Sequence, residues 1–128
     1  MTYYFTKTVA RTFDETLAKL TDELKKEGFG ILTEIDVKET LKKKLDVDFW
    51  RYKILGTCNP HFAYQAFQVE DKIGILLPCN VIIQEKDDGQ VEVSAINPVE
   101  TMKVVENPKL EALAEQVQAK LKQVVAYI

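Results

Sequence analysis

The chain has 128 residues, 46% hydrophobic and 29% charged, with 17 basic against 20 acidic side chains and a formal net charge of −3. This is the composition of a globular domain, and it excludes disordered and membrane-embedded classes. A single domain over residues 1–128 is expected; at this length it buries roughly two-thirds of its unfolded surface and needs no disulfide.

Tyr3 to Val9 alternates, with Tyr3, Phe5 and Val9 on one face and Tyr4, Thr6 and Thr8 on the other, which predicts a half-buried strand. Thr12-Phe13-Asp14-Glu15 has the form of a capping box, in which the hydroxyl accepts from an N3 amide and Glu15 reaches back. Phe13, Leu17, Leu20 and Leu24 then follow at helical spacing, and Gly28 ends the helix where a left-handed residue is easiest. Phe29 to Ile35 predicts a second strand. Asp36-Val37-Lys38-Glu39 is another capping signature, opening a short helix with a narrow stripe of Val37, Leu41 and Leu45. Arg51 to Thr57 predicts a third strand. Asn59-Pro60 places an N-cap residue before a proline at N1, the favoured start of a helix, here one carrying Phe62, Ala63, Ala66 and Phe67.

Gly74 to Glu85 reads as one long apolar strand, and Pro78 inside it predicts an edge position or a bulge, because proline donates nothing to a ladder. Asp87-Asp88-Gly89 is a hairpin turn into a return strand where Val91, Val93 and Ala95 alternate with Glu92 and Ser94. Asn107-Pro108 repeats the cap-and-proline device. The last helix aligns Leu110, Leu113, Val117, Leu121 and Val124. The predicted order is β-α-β-α-β-α-β-β-α, an α+β domain with at least one antiparallel hairpin.

Charge narrows the partners. The densest cationic run, Lys42-Lys43-Lys44, is flanked by Glu39 and Asp46. Binding through phosphates calls for a basic face, so no nucleic-acid partner is expected. The longest apolar stretch, Ile73 to Ile83, is interrupted by Gly74, Pro78 and Asn80. A spanning helix needs about 20 apolar residues, so no membrane partner is expected. Met1 to Lys7 lacks a charged segment followed by an apolar one. No secretory leader is therefore expected, and a cytoplasmic location with Cys58 and Cys79 as reduced thiols follows.

Two places break the pattern of their strands, and each holds a Cys-Asn dipeptide: Cys58-Asn59 and Cys79-Asn80. Cys58 lies just before a helix N-terminus, which can stabilise a thiolate or a bound anion. If the third and fourth strands are neighbours, the two thiols form a redox couple, a soft-metal site or the floor of a ligand pocket. The plainer reading is core packing. Cys58 is in phase with Tyr52 and Ile54, and Cys79 with Ile75, Leu77, Val81 and Ile83, so both thiols are expected on the apolar side. His61, the single histidine, sits on the first turn of a helix, where exposure is the ordinary state. Two cysteines and one histidine fall short of the four ligands of a structural zinc site, so no metal and no cofactor is expected. Asp87 and Asp88 belong to the turn, and Glu15 and Glu39 to caps. No Walker loop, dinucleotide fingerprint, nucleophile elbow or zinc-protease motif is present, and no catalytic residue is assigned. Phe49, Trp50, Tyr52, Phe62, Tyr64 and Phe67 crowd one stretch with only Arg51 and Lys53 near them, which favours a core or a dimer interface over a nucleic-acid stacking platform.

Tyr52-Lys53-Ile54-Leu55-Gly56-Thr57-Cys58-Asn59-Pro60, Ala63-Tyr64-Gln65-Ala66, Gly74-Ile75-Leu76-Leu77-Pro78-Cys79-Asn80-Val81, and Asn97-Pro98 followed by Met102 resemble the signatures of the domain-of-unknown-function 302 family. The resemblance implies a small bacterial or archaeal α+β protein akin to the TATA-binding-protein fold, a curved antiparallel sheet packed with helices, and often a dimer. It brings no activity, and fold alone implies no DNA binding. The expected function is a homodimeric module that binds a small ligand or another protein, with Cys58, Asn59, His61, Cys79 and Asn80 as binding candidates. The alternative is a thiol-dependent protein handling redox equivalents, persulfide or a soft metal through Cys58 and Cys79.

Overall fold

The computed structural model describes residues 2–128. Five strands, β1 (Tyr4–Val9), β2 (Gly30–Asp36), β3 (Arg51–Cys58), β4 (Cys79–Glu85) and β5 (Val91–Ile96), form one antiparallel sheet in the order β1-β5-β4-β3-β2. The helices are α1 (Phe13–Lys26), α2 (Val37–Leu45), α3 (Pro60–Val69), α4 (Pro98–Thr101) and α5 (Pro108–Ala126). The α+β class and the predicted element order are those observed. Two 3-10 turns, Ile73–Leu76 and Met102–Val105, and the short α4 are additions.

Local signals explain where the helices start and stop. In the capping box of α1 the Glu15 amide donates to Thr12 Oγ1 at 3.2 Å and the Thr12 amide to Glu15 Oε1 at 3.0 Å. The bond from the Thr12 amide, helped by the Thr12 hydroxyl, holds the Glu15 carboxyl below its ordinary range. At the other end Gly28 takes φ of +85°, its amide donates to Lys25 O, and the Phe29 amide donates to Leu24 O at 2.9 Å. This pair of bonds is a Schellman motif. It delivers Phe29 into the core beside Leu24. For α2 the Glu39 amide does donate to Asp36, but the Glu39 carboxylate turns to Lys43 one helical turn on, at 2.7 Å, instead of back to the cap. The stripe on α2 also stays at the surface: none of its residues is buried. The hairpin turn is as expected, with Gly89 at φ of +82° and its amide donating to Lys86 O.

Leu55, Val81, Ile83, Val93 and Ala95 face α1 and α5 and are fully buried with Phe13, Leu20, Leu24 and Leu121. A second cluster, Ala66, Ile73, Met102, Leu110 and Ala114, joins α3 to the first half of α5. Asn97, only 2% exposed, holds the chain there. Its Oδ1 accepts from the Val99 amide and from Gln118 Nε2, while its Nδ2 donates to Thr2 O.

The long strand predicted from Gly74 is shorter than expected. Residues 73–76 coil as a 3-10 turn with Ile75 82% exposed, and pairing begins only at Cys79. Pro78 is neither on an edge strand nor in a bulge. It immediately precedes β4, an interior strand, where its missing amide costs no ladder bond. Its peptide bond to Leu77 is cis. The sheet's irregularity lies elsewhere, between Ile31 and Thr33 of β2.

Pro78 and Thr33 both close on Gly56 of β3. A Cβ there would run into Thr33 Oγ1 and lie 2.8 Å from Pro78 Cγ. Gly30 of β2 has open space at the same atom. Gly56→Ala is therefore expected to lower unfolding stability by about 1–3 kcal/mol. Gly30→Ala should change it by less than about 0.5 kcal/mol. Denaturant titration of both variants checks this, and equal losses would contradict it.

Candidate functional site

Where β3 and β4 end, the sheet meets α3 and α5 around a cavity of about 290 Å³. The floor is the Thr57–Cys79 pair of the β3–β4 ladder. Thr57, 1% exposed, spends its hydroxyl on Cys79 O at 2.8 Å. One wall is α3, with Phe62, Ala63, Ala66 and Phe67; the other is α5, with Leu110, Leu113, Ala114 and Val117. The room between the helices arises because Ala63 and Ala66 on one helix stand where α5 presents Ala114. Phe29, Leu77, Pro78 and Met102 close the remaining sides.

The chemistry of this lining is one-sided. Of 18 lining residues none carries a charge at neutral pH. The polar ones are Thr57, Cys58, Asn59 and Cys79. Burial pushes the Cys79 thiol from its ordinary value up to about 11, and the neighbouring Cys58 adds to that. Both cysteines are free. Cys79 lies on the buried apolar side with Val81 and Ile83, as expected, and shares that helix-covered face with Thr57 and Leu55, whereas Cys58, against expectation, alternates off it and is half-buried at the strand end. The sequence phase failed because Leu55 and Thr57, and not Ile54 and Tyr52, are the inward residues of β3.

Asn59 occupies the N-cap position of α3, but its side chain makes no cap bond. Instead Nδ2 donates to Glu27 O at 3.2 Å, tying the start of α3 to the end of α1. The structure thus brings Cys58, Asn59 and Cys79 to one cavity. It leaves His61 exposed on the first turn of α3, and Asn80 exposed on the sheet face opposite Cys79, paired with Gly56. Neither lines the cavity. Sequence reasoning missed Leu110, Leu113, Ala114 and Val117 as site residues, although their helical spacing was visible. It also missed α4, whose signal, Asn97-Pro98, is the same device that marked α3 and α5.

The aromatic run divides. Phe49 stacks on Trp50 with ring centres 4.0 Å apart, and Trp50 Nε1 donates to Gln84 Oε1. Phe62 and Phe67 line the cavity, and Tyr64 is exposed. Among the described residues no three His, Cys, Asp or Glu side chains converge as a metal site, and no helix is long and apolar enough to cross a membrane.

These features define an α+β domain with an apolar cavity at the open end of its central strand pair. The family model for the domain of unknown function DUF302 matches residues 5–128, and the chain belongs to that family. It is similar to a solved structure described as an uncharacterized conserved protein DUF302 from Bacillus stearothermophilus, at 26% identity and a TM-score of 0.92, over 99% of this chain and 98% of that one. Among curated proteins none matches the chain.

A thiol that is favoured neutral in the folded state and ionises more easily when unfolded stabilises the fold below its unfolded value. That contribution is lost as pH rises toward the folded value. Cys79 should therefore weaken the fold between about pH 9 and 11. A Cys79→Ala variant should show a shallower fall in stability across that window, and an unchanged slope would contradict the assignment. In alkylation at neutral pH, Cys79 should resist iodoacetamide until the protein unfolds.

Proposed function

We propose that this protein is a binding module for a small apolar molecule held between α3, α5 and the ends of β3 and β4. The observation that carries the reading is the cavity itself. It is a half-open cleft of about 290 Å³ with an uncharged, mostly apolar lining. Concave, mostly apolar sites with few polar groups are the usual form of small-molecule sites. Of the binding candidates, Cys58, Asn59 and Cys79 belong to this reading through the cavity, while His61 and Asn80 would serve only a partner docked outside it.

The same reading includes a homodimer, a cytoplasmic location and likeness to the TATA-binding-protein fold, without nucleic-acid binding. The acidic charge balance supports the absence of nucleic-acid binding, and the two free thiols support the cytoplasmic location. A second reading, thiol chemistry, draws on Cys58 and Cys79 lining one cavity. Against it stands the raised pKa of Cys79, which keeps that sulfur a poor nucleophile.

Indole is a suitable neutral probe of bicyclic size. At concentrations well above its dissociation constant it should raise the melting temperature of the wild-type chain by a few degrees. It should not do so for Ala114→Phe, which fills the cavity and whose fold is checked by circular dichroism. No shift with wild type, or equal shifts with both, would contradict the reading. Light scattering on the eluting protein should give twice the chain mass, and a monomer would remove the dimer from the proposal.

A further inference from the structure

The hydrogen-bonding capacity left in the cavity specifies its ligand more narrowly; this inference rests on the binding reading above. Thr57 Oγ1 is committed to Cys79 O, and Asn59 Nδ2 to Glu27 O. The Glu27 carbonyl only accepts, so it fixes the Asn59 amide with Nδ2 toward α1 and leaves Oδ1 as the free end. That oxygen makes no cap bond, and no buried side-chain polar atom among the described residues lacks a partner, so Oδ1 is open to solvent or ligand. The thiols add only weak donors. The site therefore offers acceptors but no strong free side-chain donor and no cation: Asn59 Oδ1 is the accessible acceptor, since Thr57, 1% exposed, keeps the lone pairs of its hydroxyl buried.

The geometry points to an uncharged, mainly aromatic or hydrocarbon ligand of bicyclic size that carries one hydrogen-bond donor, received by Asn59 Oδ1. A carboxylate or phosphate in this cavity would lose its hydration without finding a charged partner on the lining. The feature that favours an anion is the N-terminus of α3, and a charged probe tests that directly. The donor on the ligand matters because an Asn59 oxygen covered by an apolar group would give up its water without replacement.

Isothermal titration of the full chain with indole, 1-methylindole and indole-3-carboxylate separates these cases. Indole has the donor, 1-methylindole lacks it, and the carboxylate adds the charge. Indole should bind about five-fold more tightly than 1-methylindole, the value of one neutral hydrogen bond. It should bind at least about ten-fold more tightly than the carboxylate. Asn59→Ala should erase the difference between indole and 1-methylindole. The three-probe comparison on wild type decides the matter even where that variant fails to fold. Equal affinities for indole and 1-methylindole, or a carboxylate that binds as well as indole, would overturn this inference and leave the cavity reading standing. Absence of binding by all three would overturn both.

Discussion

The close approach of Pro78 and Thr33 to the bare Cα of Gly56 governs how β3 and β4 meet, and the rest of the site follows from that meeting. With no side chain at Gly56, the Leu77–Pro78 segment lies over β3 and enters β4 at Cys79. Cys79 then pairs with Thr57, and the Thr57 hydroxyl closes on the Cys79 carbonyl. The two strands stop being a sheet within a residue of that pair, because β3 passes into α3 at Asn59-Pro60 while β4 has only just begun. The end of an interior strand pair is thereby left for helices to cover.

Cover is incomplete because of residue size. α3 and α5 pack together through Ala66, Leu110 and Ala114, with Ile73 and Met102 from the two 3-10 turns. Ala63, Ala66 and Ala114, where larger side chains would interdigitate, leave an apolar cleft between the helices. The buried network around Asn97 and the bond from Asn107 Nδ2 to Val69 O fix the approach of α4, α5 and α3, so the helices do not simply collapse inward. The cleft leaves this apolar lining partly open to water, which gives a bound apolar molecule a physical role as its cover.

Signals that act over a few residues were legible in the sequence. The capping box at Thr12, the Gly28 stop, the Asn-Pro starts of α3 and α5, and the alternation of Val91, Val93 and Ala95 all depend on neighbours in the chain. Features decided by distant contacts were not. Asn59 prefers Glu27 O, 32 residues away, over its own helix, and periodicity carries no trace of that choice. The alanines of α3 and α5 read as ordinary helix residues until the two faces meet. Residues 74–76 read as strand because Ile75 and Leu76 are apolar, although Gly74 and Pro78 were already present as breakers. The two Cys-Asn dipeptides looked equivalent, yet strand phase sends Asn80 to the face opposite Cys79, while Cys58 and Asn59 reach the cavity because β3 ends there and passes into α3.

The central claim is that the cleft between α3 and α5 is an apolar site that holds an apolar guest. A crystal of the protein pressurised with xenon tests it without choosing any organic ligand. The account predicts a xenon atom between Ala66 and Ala114, above the Thr57–Cys79 pair. A chain of ordered waters hydrogen-bonded through that space, with no xenon bound, would contradict it.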